Sequence, residues 1–373
     1  MMKRSGSQAV ANQQGLLTSC CLVLAAIPLM VLTTQGVGAE QAGPMASRVA
    51  VDPTLARYNP QTQVSGGLKV AGSDTMYPLM TRLVAEFNRR QPQVAIDVRG
   101  GGSTKALSEF LQPPLKASGR VVLKEERSSQ FMLIASSREL LDSEVKQFAS
   151  ERGYEPMAIP VAVDAVAVYV DKDNPLPGLT LDQVDAIFST TLLRGHKGQI
   201  REWEQLGLTN GWDKAQIQLY GRGRKSGTHF FFQEHVLAGG EFAPTVHEEP
   251  GAASVILALS RDPFGIGYSG LGLQTSGVRA VPLAESEGMP FIAPSAATVA
   301  DQSYPLRRIL YLYLDKSPKT SLPPAAQEFL TFITSREGQE AVVIAGFFPL
   351  PLNQVKKSLV ALGVPVAGES APR

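Results

Sequence analysis

Hydroxyl groups, glycines and arginine lie together between residues 221 and 228, and groups of these types can bind an anion. The residues concerned are Arg222, Ser226, Gly227 and Thr228. The apolar run 217–220 before them favours a strand, and residues 230–237 favour a helix. Backbone N–H groups at a helix start carry partial positive charge, and a guanidinium adds a full charge. The alternative is an ordinary strand–turn–helix connection with a capping hydroxyl.

Two earlier stretches of the chain repeat this pattern. Ser73, Asp74 and Thr75 follow a short predicted strand, and Pro78 then opens a predicted helix. Ser103 and Thr104 follow a second predicted strand and three glycines, and we expect Ser103 to cap the helix after them. Capping explains one polar residue at a helix start, but it does not require three in a row.

The three junctions indicate an α/β protein whose site lies at the carboxyl ends of parallel strands. Consecutive strands of such sheets end at the same edge, so the side chains that follow them meet there. The glycines before Ser103 allow a ligand to approach the backbone closely. The sequence therefore predicts one anion site built from segments that are about 150 residues apart.

Composition limits the classes of function. The chain has 373 residues, 44% of them hydrophobic and 18% charged, which is typical of a folded protein with one large or two medium domains. The net charge of +1 shows neither the basic surplus of a nucleic-acid-binding protein nor the acidic surplus of a solvating tail. An anion would therefore be bound by local geometry.

The N-terminus predicts export. Lys3 and Arg4 precede an apolar stretch over residues 16–32, and Val37-Gly38-Ala39 suits cleavage by signal peptidase, so we expect a signal peptide at residues 1–39. An uncleaved membrane anchor is the alternative. Both cysteines, Cys20 and Cys21, lie in this leader, so the mature chain would have no disulfide and no thiolate ligand. No metal and no cofactor is predicted.

A hydrolase is the main alternative class. Ser226 and His229 lie three residues apart, but no G-x-S-x-G elbow presents a nucleophile, and the histidines lack H-E-x-x-H spacing. Residues 265–270 contain a G-x-G-x-x-G pattern without the apolar helix and later acidic residue of a dinucleotide site. We therefore predict no catalytic residue, and we interpret residues 265–270 as a glycine-rich strand that returns to the first part of the fold.

Several stretches together carry a resemblance to a known family. They are residues 71–76, 101–104, 137–140, 222 with 226–228, 265–268, 304–308 and 335–339. In order and spacing, residues 68–352 resemble the phosphate-binding proteins of bacterial ABC importers, the periplasmic receptors of phosphate-specific transport. The resemblance implies a two-lobed periplasmic binding protein fold of type II. Each lobe would hold a mixed, mostly parallel sheet flanked by helices, with crossing strands as the hinge.

The resemblance also implies a function and a set of site residues. The chain would capture inorganic phosphate between the lobes in the periplasm and deliver it, as a monomer, to an ABC transporter permease in the inner membrane, without binding nucleic acid. The implied ligand-binding residues are Ser73, Asp74, Thr75, Ser103, Thr104, Arg222, Ser226, Gly227 and Thr228. A receptor for another oxyanion, or a phosphate sensor or scaffold without transport, is the alternative.

Domain boundaries follow from the long β-branched run 159–170, which we interpret as a strand passing between lobes. The predicted segments are the signal peptide, an extended lead-in at 40–66, lobe 1 at 67–162 plus 266–355, lobe 2 at 163–265, and a tail at 356–373. Residues 113–130 are charged and aperiodic, and we expect a surface loop there.

One position departs from the pattern of the family. Family members usually carry an aspartate in the strand before the Ser-Arg motif, where its carboxylate accepts the proton of hydrogen phosphate. Here Met132 stands at about that position. Three explanations stay open: Asp74 accepts the proton, discrimination against sulfate is weaker, or the ligand differs.

Overall fold

A computed structural model describes residues 49–60, 62–112 and 131–365. The predicted signal peptide, the predicted loop at 113–130 and the end of the predicted tail lie outside these residues. The strands are β1 (Gly66–Gly72), β2 (Val94–Arg99), β3 (Phe131–Ser136), β4 (Met157–Asp171), β5 (Leu179–Thr180), β6 (Gln218–Arg222), β7 (Val246–Glu249), β8 (Gly265–Gly270), β9 (Val278–Ala280), β10 (Leu283–Ala284) and β11 (Arg307–Leu314).

Helices alternate with these strands. They are α1 (Tyr77–Asn88), α2 (Ser103–Phe110), α3 (Asp142–Arg152), α4 (Leu181–Phe188), α5 (Gly227–His235), α6 (Ala252–Leu259), α7 (Ala296–Ala300), α8 (Pro324–Ile333), α9 (Arg336–Ile344) and α10 (Leu352–Ala361). Two short 3-10 helices cover Trp203–Leu206 and Leu271–Leu273. Local sequence explains several starts: proline stands in the first turn of α1 and α8, and Ser226 caps α5.

Nine strands form one sheet, in the order β2-β1-β3-β11-β4-β8-β6-β7, with β9 also paired to β4. β1 runs parallel to β2 and β3, and β6 runs parallel to β7 and β8. β11 and β4 lie antiparallel between these two parallel groups. The mixed, mostly parallel α/β architecture predicted from the sequence is confirmed.

β4 connects the two halves of the sheet. Its residues 157–165 pair with β11, and its residues 166–171 pair with β8 and β9. Twelve consecutive residues, 159–170, are buried, which explains why this strand is apolar without alternation. The long strand predicted at 159–170 is therefore present, and β4 begins two residues earlier and ends one residue later.

The buried side chains form two large groups. The first core gathers around α1, α8 and β1, with Leu79, Phe87 and Phe329 fully buried. The second core gathers around α4, α5 and β8, with Phe232 and Tyr268 fully buried. Each group encloses its own hydrophobic interior, as two packed layers of secondary structure require.

Residues 266–306 pack with the second core. Ile266 and Tyr268 of β8 are buried there, as are Tyr304 and Leu306 just before β11. β8 is a strand, as predicted, but it pairs with β6 and with the later half of β4 instead of returning to the first core. Gly265 and Gly267 have no Cβ atom, which lets β8 lie close to Tyr220.

The C-terminal end of the described chain is helical. α10 continues to Ala361, past residue 356 where the sequence predicts a tail, and its Val355 is buried in the second core. Across the described residues, no helix has the length and apolar character needed to cross a membrane.

Candidate functional site

Three strand–helix connections meet at one place. They are the loops between β1 and α1, between β2 and α2, and between β6 and α5. The Gly102 N–H donates to the Gly72 carbonyl at 2.8 Å, and the Thr104 N–H donates to the Lys225 carbonyl at 3.2 Å. The first and third loops meet where the hydroxyls of Thr75 and Thr228 lie 3.1 Å apart. The structure therefore brings the three predicted junctions together.

The first loop supplies a carboxylate that links the other two loops. Asp74 accepts a hydrogen bond from the Gly101 N–H at 2.8 Å and one from the guanidinium of Arg222 at 3.3 Å. Ser73 is buried, and its hydroxyl accepts from the Met76 N–H at 3.2 Å. Asp74 is thus placed to hold the arginine in position while remaining partly exposed itself.

The second loop differs from its prediction in one respect. Gly102, with φ of +94°, occupies the capping position of α2, so Ser103 is the first residue of the helix and does not cap it. A glycine is favoured there because other residues rarely adopt this backbone angle. The Ser103 hydroxyl lies 3.1 Å from the Ser137 hydroxyl and accepts the Ser137 N–H. The buried hydroxyl of Thr104 has no hydrogen-bond partner among the described residues.

Arg222 ends β6 and is only 2% exposed. Its Nε and Nη1 atoms are buried and have no hydrogen-bond partner among the described residues, while Nη2 contacts Asp74 and the Pro250 carbonyl. Burial lowers the pKa of Arg222, and the Asp74 carboxylate opposes this shift. A buried guanidinium needs acceptors, so the two nitrogen atoms without a partner indicate a place for an anion.

The start of α5 lies against the Ser103–Ser137 pair. Ser226 caps the helix by accepting the Thr228 N–H at 3.1 Å. A Cβ atom on Gly227 would lie 2.6 Å from the hydroxyl oxygens of both Ser103 and Ser137. Real Cβ atoms do not approach so closely, so glycine allows these two hydroxyls to reach the N-terminal amides of the helix.

The His229 side chain contacts a backbone carbonyl and does not contact a nucleophilic hydroxyl. Its Nδ1 lies 2.6 Å from the Arg222 carbonyl oxygen, and its ring stacks on Phe242 with centroids 4.3 Å apart. Burial lowers the pKa of His229, although the contact with the Arg222 carbonyl opposes the shift. The Ser226 hydroxyl is used for capping. A Ser–His pair, the basis of the hydrolase alternative, is not formed by these two residues.

Three further polar residues reach this place, and the sequence analysis did not assign them. Ser137 contacts Ser103, and the buried pair Asp164 and Arg308 reaches Thr228 through the Arg308 Nη2 atom at 3.0 Å. Asp164 carries a recognisable signal, since it is the sole charge within the apolar run 158–170. A charge in such a run is buried and must have a partner.

The structure corrects the inference drawn from Met132. Met132 lies near the start of β3 with 38% of its surface exposed, beside Lys69 of β1. The site lies at the other end of the strand, four residues or about 13 Å further on. The side chain at 132 therefore contributes nothing to the site, and a lost acceptor there cannot set its selectivity. Ser136 is also occupied locally, because its hydroxyl donates to the Arg138 carbonyl at 2.7 Å.

A cavity of 650 Å³ opens beside Asp74 and Arg222. Its wall is strongly charged and includes Lys105, Arg224, Lys225, Glu248 and Glu249. Arg224 and Lys225 are exposed, whereas Arg222 is buried. The cavity connects the buried arginine with solvent, so small solutes have a path toward it.

Hydroxyls, helix N-terminal amides and buried guanidinium groups together suit a tetrahedral oxyanion. All are donors, and in a dry site each donor bond to a charged acceptor is stronger than a neutral one. Among the described residues, no group of three or more histidine, cysteine, aspartate or glutamate side chains is arranged to hold a metal ion.

Comparison with known proteins agrees with this reading. The PBP superfamily domain matches residues 58–337. The chain is 41% identical over 335 residues to the phosphate-binding protein PstS of Pseudomonas aeruginosa, covering 90% of this chain and 97% of that protein.

Solved structures establish the fold. A Clostridium perfringens protein crystallised with bound phosphate has a TM-score of 0.60 at 22% identity, covering 76% of this chain and 100% of that one. An ABC-type phosphate transport receptor from Vibrio cholerae has a TM-score of 0.54 at 22% identity, with the same coverage. The predicted type II binding protein fold is confirmed. The chain belongs to the PBP superfamily and, within it, to the family of phosphate-binding proteins named PstS.

Proposed function

We propose that this protein captures inorganic phosphate outside the cytoplasm and delivers it to an ABC importer. One observation carries the proposal: the buried Arg222 has two guanidinium nitrogens without a partner among the described residues, beside two helix starts and their hydroxyls. Relatives that share 41% identity are named for phosphate binding, which supports the choice of anion.

In this proposal each of the nine predicted residues has a part. Arg222 donates its free Nε and Nη1 hydrogens to two phosphate oxygens, and Ser103 and Thr104 add hydroxyls at the start of α2. Ser226 and Thr228 contribute hydroxyl donors, and Gly227 contributes its amide N–H at the start of α5. Ser73 and Thr75 line the first loop with their hydroxyl and amide groups. Asp74 holds the guanidinium.

Asp74 is also our candidate for the acceptor that recognises a protonated oxyanion. Its carboxylate already accepts from the Gly101 N–H and from Arg222, which leaves lone pairs on both oxygens. Hydrogen phosphate can donate a proton to such an oxygen, whereas sulfate has none to donate. A carboxylate beside sulfate would only repel it, so we expect phosphate to be preferred.

We further propose that the two cores correspond to two lobes that close on the anion. β4 and the chain entering β11 run from one core to the other and would act as the hinge. Packing supports assigning residues 266–306 to lobe 2 together with 163–265, in place of the division expected at residue 266. Lobe 1 would then comprise residues 67–162 and the segment from β11 to α9, since Val355 of α10 packs in the second core.

Export and delivery complete the proposal. We propose that residues 1–39 are removed as a signal peptide, that the mature protein is a periplasmic monomer, and that its closed form docks on a permease in the inner membrane. Reaction chemistry is not part of this role, and the relatives are named as binding proteins. A phosphatase assay that detected turnover of a generic phosphoester would contradict it.

Isothermal titration of the exported protein with phosphate, sulfate and arsenate tests the function. We expect saturable binding of phosphate at one site, competition by arsenate, and at least a hundredfold weaker response to sulfate, equivalent to about 2.7 kcal/mol. Binding of sulfate in preference to phosphate would identify another oxyanion receptor. If none of the three anions bound, the proposed phosphate-binding function would be wrong, although the fold would be unaffected.

A further inference from the structure

Asp164 and Arg308 face each other on the two strands that connect the cores. They are direct partners in the register of β4 and β11. Arg308 Nη2 lies 2.7 Å and Nε lies 3.0 Å from the same carboxylate oxygen of Asp164. Both side chains are almost completely buried, with 1% and 5% of their surface exposed. The ion pair is therefore dry and its geometry is well defined.

Arg308 has a third contact, and it leads into the anion site. Its Nη2 also donates to the Thr228 hydroxyl at 3.0 Å, and the Thr228 and Thr75 hydroxyl oxygens are 3.1 Å apart. The Arg308 guanidinium carbon lies 5.3 Å from the centre of the Phe231 ring, so the aromatic face limits its movement. A chain of polar contacts thus runs from Asp164 to Thr75.

The hydrogens and lone pairs of the two threonine hydroxyls show how many donors these polar contacts leave free. A hydroxyl has one hydrogen to donate and two lone pairs to accept with, whereas a guanidinium only donates. Arg308 therefore occupies one lone pair of Thr228. Of the two threonine hydrogens, one is used between Thr75 and Thr228 in either direction. The other hydrogen remains and needs an acceptor outside the pair. The threonine pair presents one donor, whichever residue holds it.

From these contacts we infer that Arg308 is a positioning residue for anion binding, which orients the Thr75–Thr228 hydroxyl pair as a donor, and that Asp164 holds Arg308 for this purpose. The inference rests on the proposed function. It adds a second buried guanidinium, close enough to Arg222 to lower its pKa.

A purely structural role is the competing explanation, and its expectations differ. A buried ion pair is weak evidence for stability, because desolvation offsets most of its attraction. A structural pair would influence affinity equally whether or not Thr228 has a hydroxyl. A positioning residue would lose its influence once that hydroxyl is removed. A double-mutant cycle separates the two explanations.

The variants are Arg308→Lys, Thr228→Val and their combination, each titrated with inorganic phosphate. Lysine keeps a positive charge for Asp164 but lacks the planar fork that also reaches Thr228. We expect Arg308→Lys to weaken binding about tenfold or more in the wild-type background and less than about twofold in the Thr228→Val background. Arg307→Lys, at the neighbouring position of β11, is the control and should leave the affinity unchanged.

Equal loss in both backgrounds, or an Arg308→Lys affinity within twofold of wild type, would overturn the inference. If Thr228→Val binds phosphate too weakly for calorimetry, the rise of its melting temperature with phosphate concentration measures its affinity in the same cycle. If Arg308→Lys does not fold, the neutral pair Asp164→Asn with Arg308→Gln removes both charges together. Wild-type protein that binds no phosphate refutes the proposed function itself, whereas wild-type binding with an additive cycle refutes this inference alone.

Discussion

At the scale of single residues, the site depends on groups whose surroundings demand a partner. Arg222 is buried with two guanidinium nitrogens that bond to no described residue, and Asp74 contacts it on one side. An unpaired buried charge is costly, so such an arginine is retained where an anion completes it. The nearby Arg224 is exposed, so solvent can hydrate its guanidinium and no anion is required. Arg222 and Arg224, which are separated only by Gly223, therefore have different roles.

Replacing Arg222 should separate binding from folding. We expect Arg222→Ala to lower phosphate affinity by more than tenfold, because one guanidinium supplies at least two charge-assisted hydrogen bonds worth about 1.5–3 kcal/mol each. Titration calorimetry measures the loss, and a thermal melt checks the fold. Arg224→Ala is the matched control and should bind like wild type. Equal affinity in the two variants would exclude Arg222 from the site.

His229 should make stability depend on pH. Burial lowers the pKa of His229 in the folded protein, while an unfolded histidine titrates near about 6.5. The unfolded state therefore takes up the proton first, and stability should fall as the pH drops below about 6.5, until the lower folded pKa is reached. His229→Asn, which keeps a donor for the Arg222 carbonyl, should flatten this part of the profile.

Urea unfolding at pH 7.5 and at pH 5.5 measures the effect. For each protein, the free energy of unfolding at pH 5.5 is subtracted from that at pH 7.5. The change in wild type is then compared with the change in His229→Asn, because other groups titrate equally in both proteins. A variant whose stability falls as steeply as that of wild type would show that His229 does not titrate in the expected direction.

At the scale of secondary structure, the site is formed by the close approach of two helix starts. The loop before α2 touches the loop before α5 through the Thr104 N–H and the Lys225 carbonyl. A Cβ atom on Gly102 would lie 2.2 Å from that same carbonyl oxygen, whereas one on Gly101 would meet nothing within 4 Å. Both glycines have positive φ, at +94° and +120°. The two glycines therefore share a positive φ angle, but only Gly102 lies against the other loop.

This difference makes a matched pair of variants. Gly102→Ala should lower phosphate affinity at least about tenfold, or 1.4 kcal/mol, because the added methyl keeps the two loops apart. Gly101→Ala introduces similar backbone strain without the contact, and we expect a clearly smaller effect on binding. Titration of both proteins gives the comparison. If the two variants bound alike, backbone strain and not the loop contact would explain the loss.

At the scale of the whole molecule, two hydrophobic cores share one sheet. β4 contributes to the first core at Ile159 and to the second at Val168, and the chain around β11 contributes Leu306 to the second and Leu312 to the first. Two strands crossing between two cores permit bending without breaking either core. The buried Asp164–Arg308 pair lies on these strands.

Phosphate should make the molecule more compact. We expect small-angle scattering to show a smaller radius of gyration after phosphate is added, because binding would draw the helix starts of the two proposed lobes together. Sulfate at the same concentration controls for ionic strength. Arg222→Ala, at a phosphate concentration that saturates wild type, should remain extended. Identical scattering with and without phosphate would contradict closure, although it would leave binding itself possible.

Much of this architecture could be predicted from local patterns. Strand β4 is recognisable as a long β-branched run, and the three junctions are recognisable as hydroxyl groups between a strand and a helix. Both signals arise within a few residues, where backbone preference and capping operate. The α/β class and the nine predicted site residues followed from them and from the family resemblance. Their role as ligands stays a prediction.

The tertiary structure decided what depends on residues distant in sequence. It moved Ser103 out of the capping position, placed Met132 at the far end of its strand, and brought Ser137 to Gly227. It also paired Asp164 with Arg308 across 144 positions of sequence. Strand register sets which side chains face each other, and it results from packing of the whole sheet. The sequence alone therefore predicted which groups could bind an anion, and the fold decided how those groups are oriented and held.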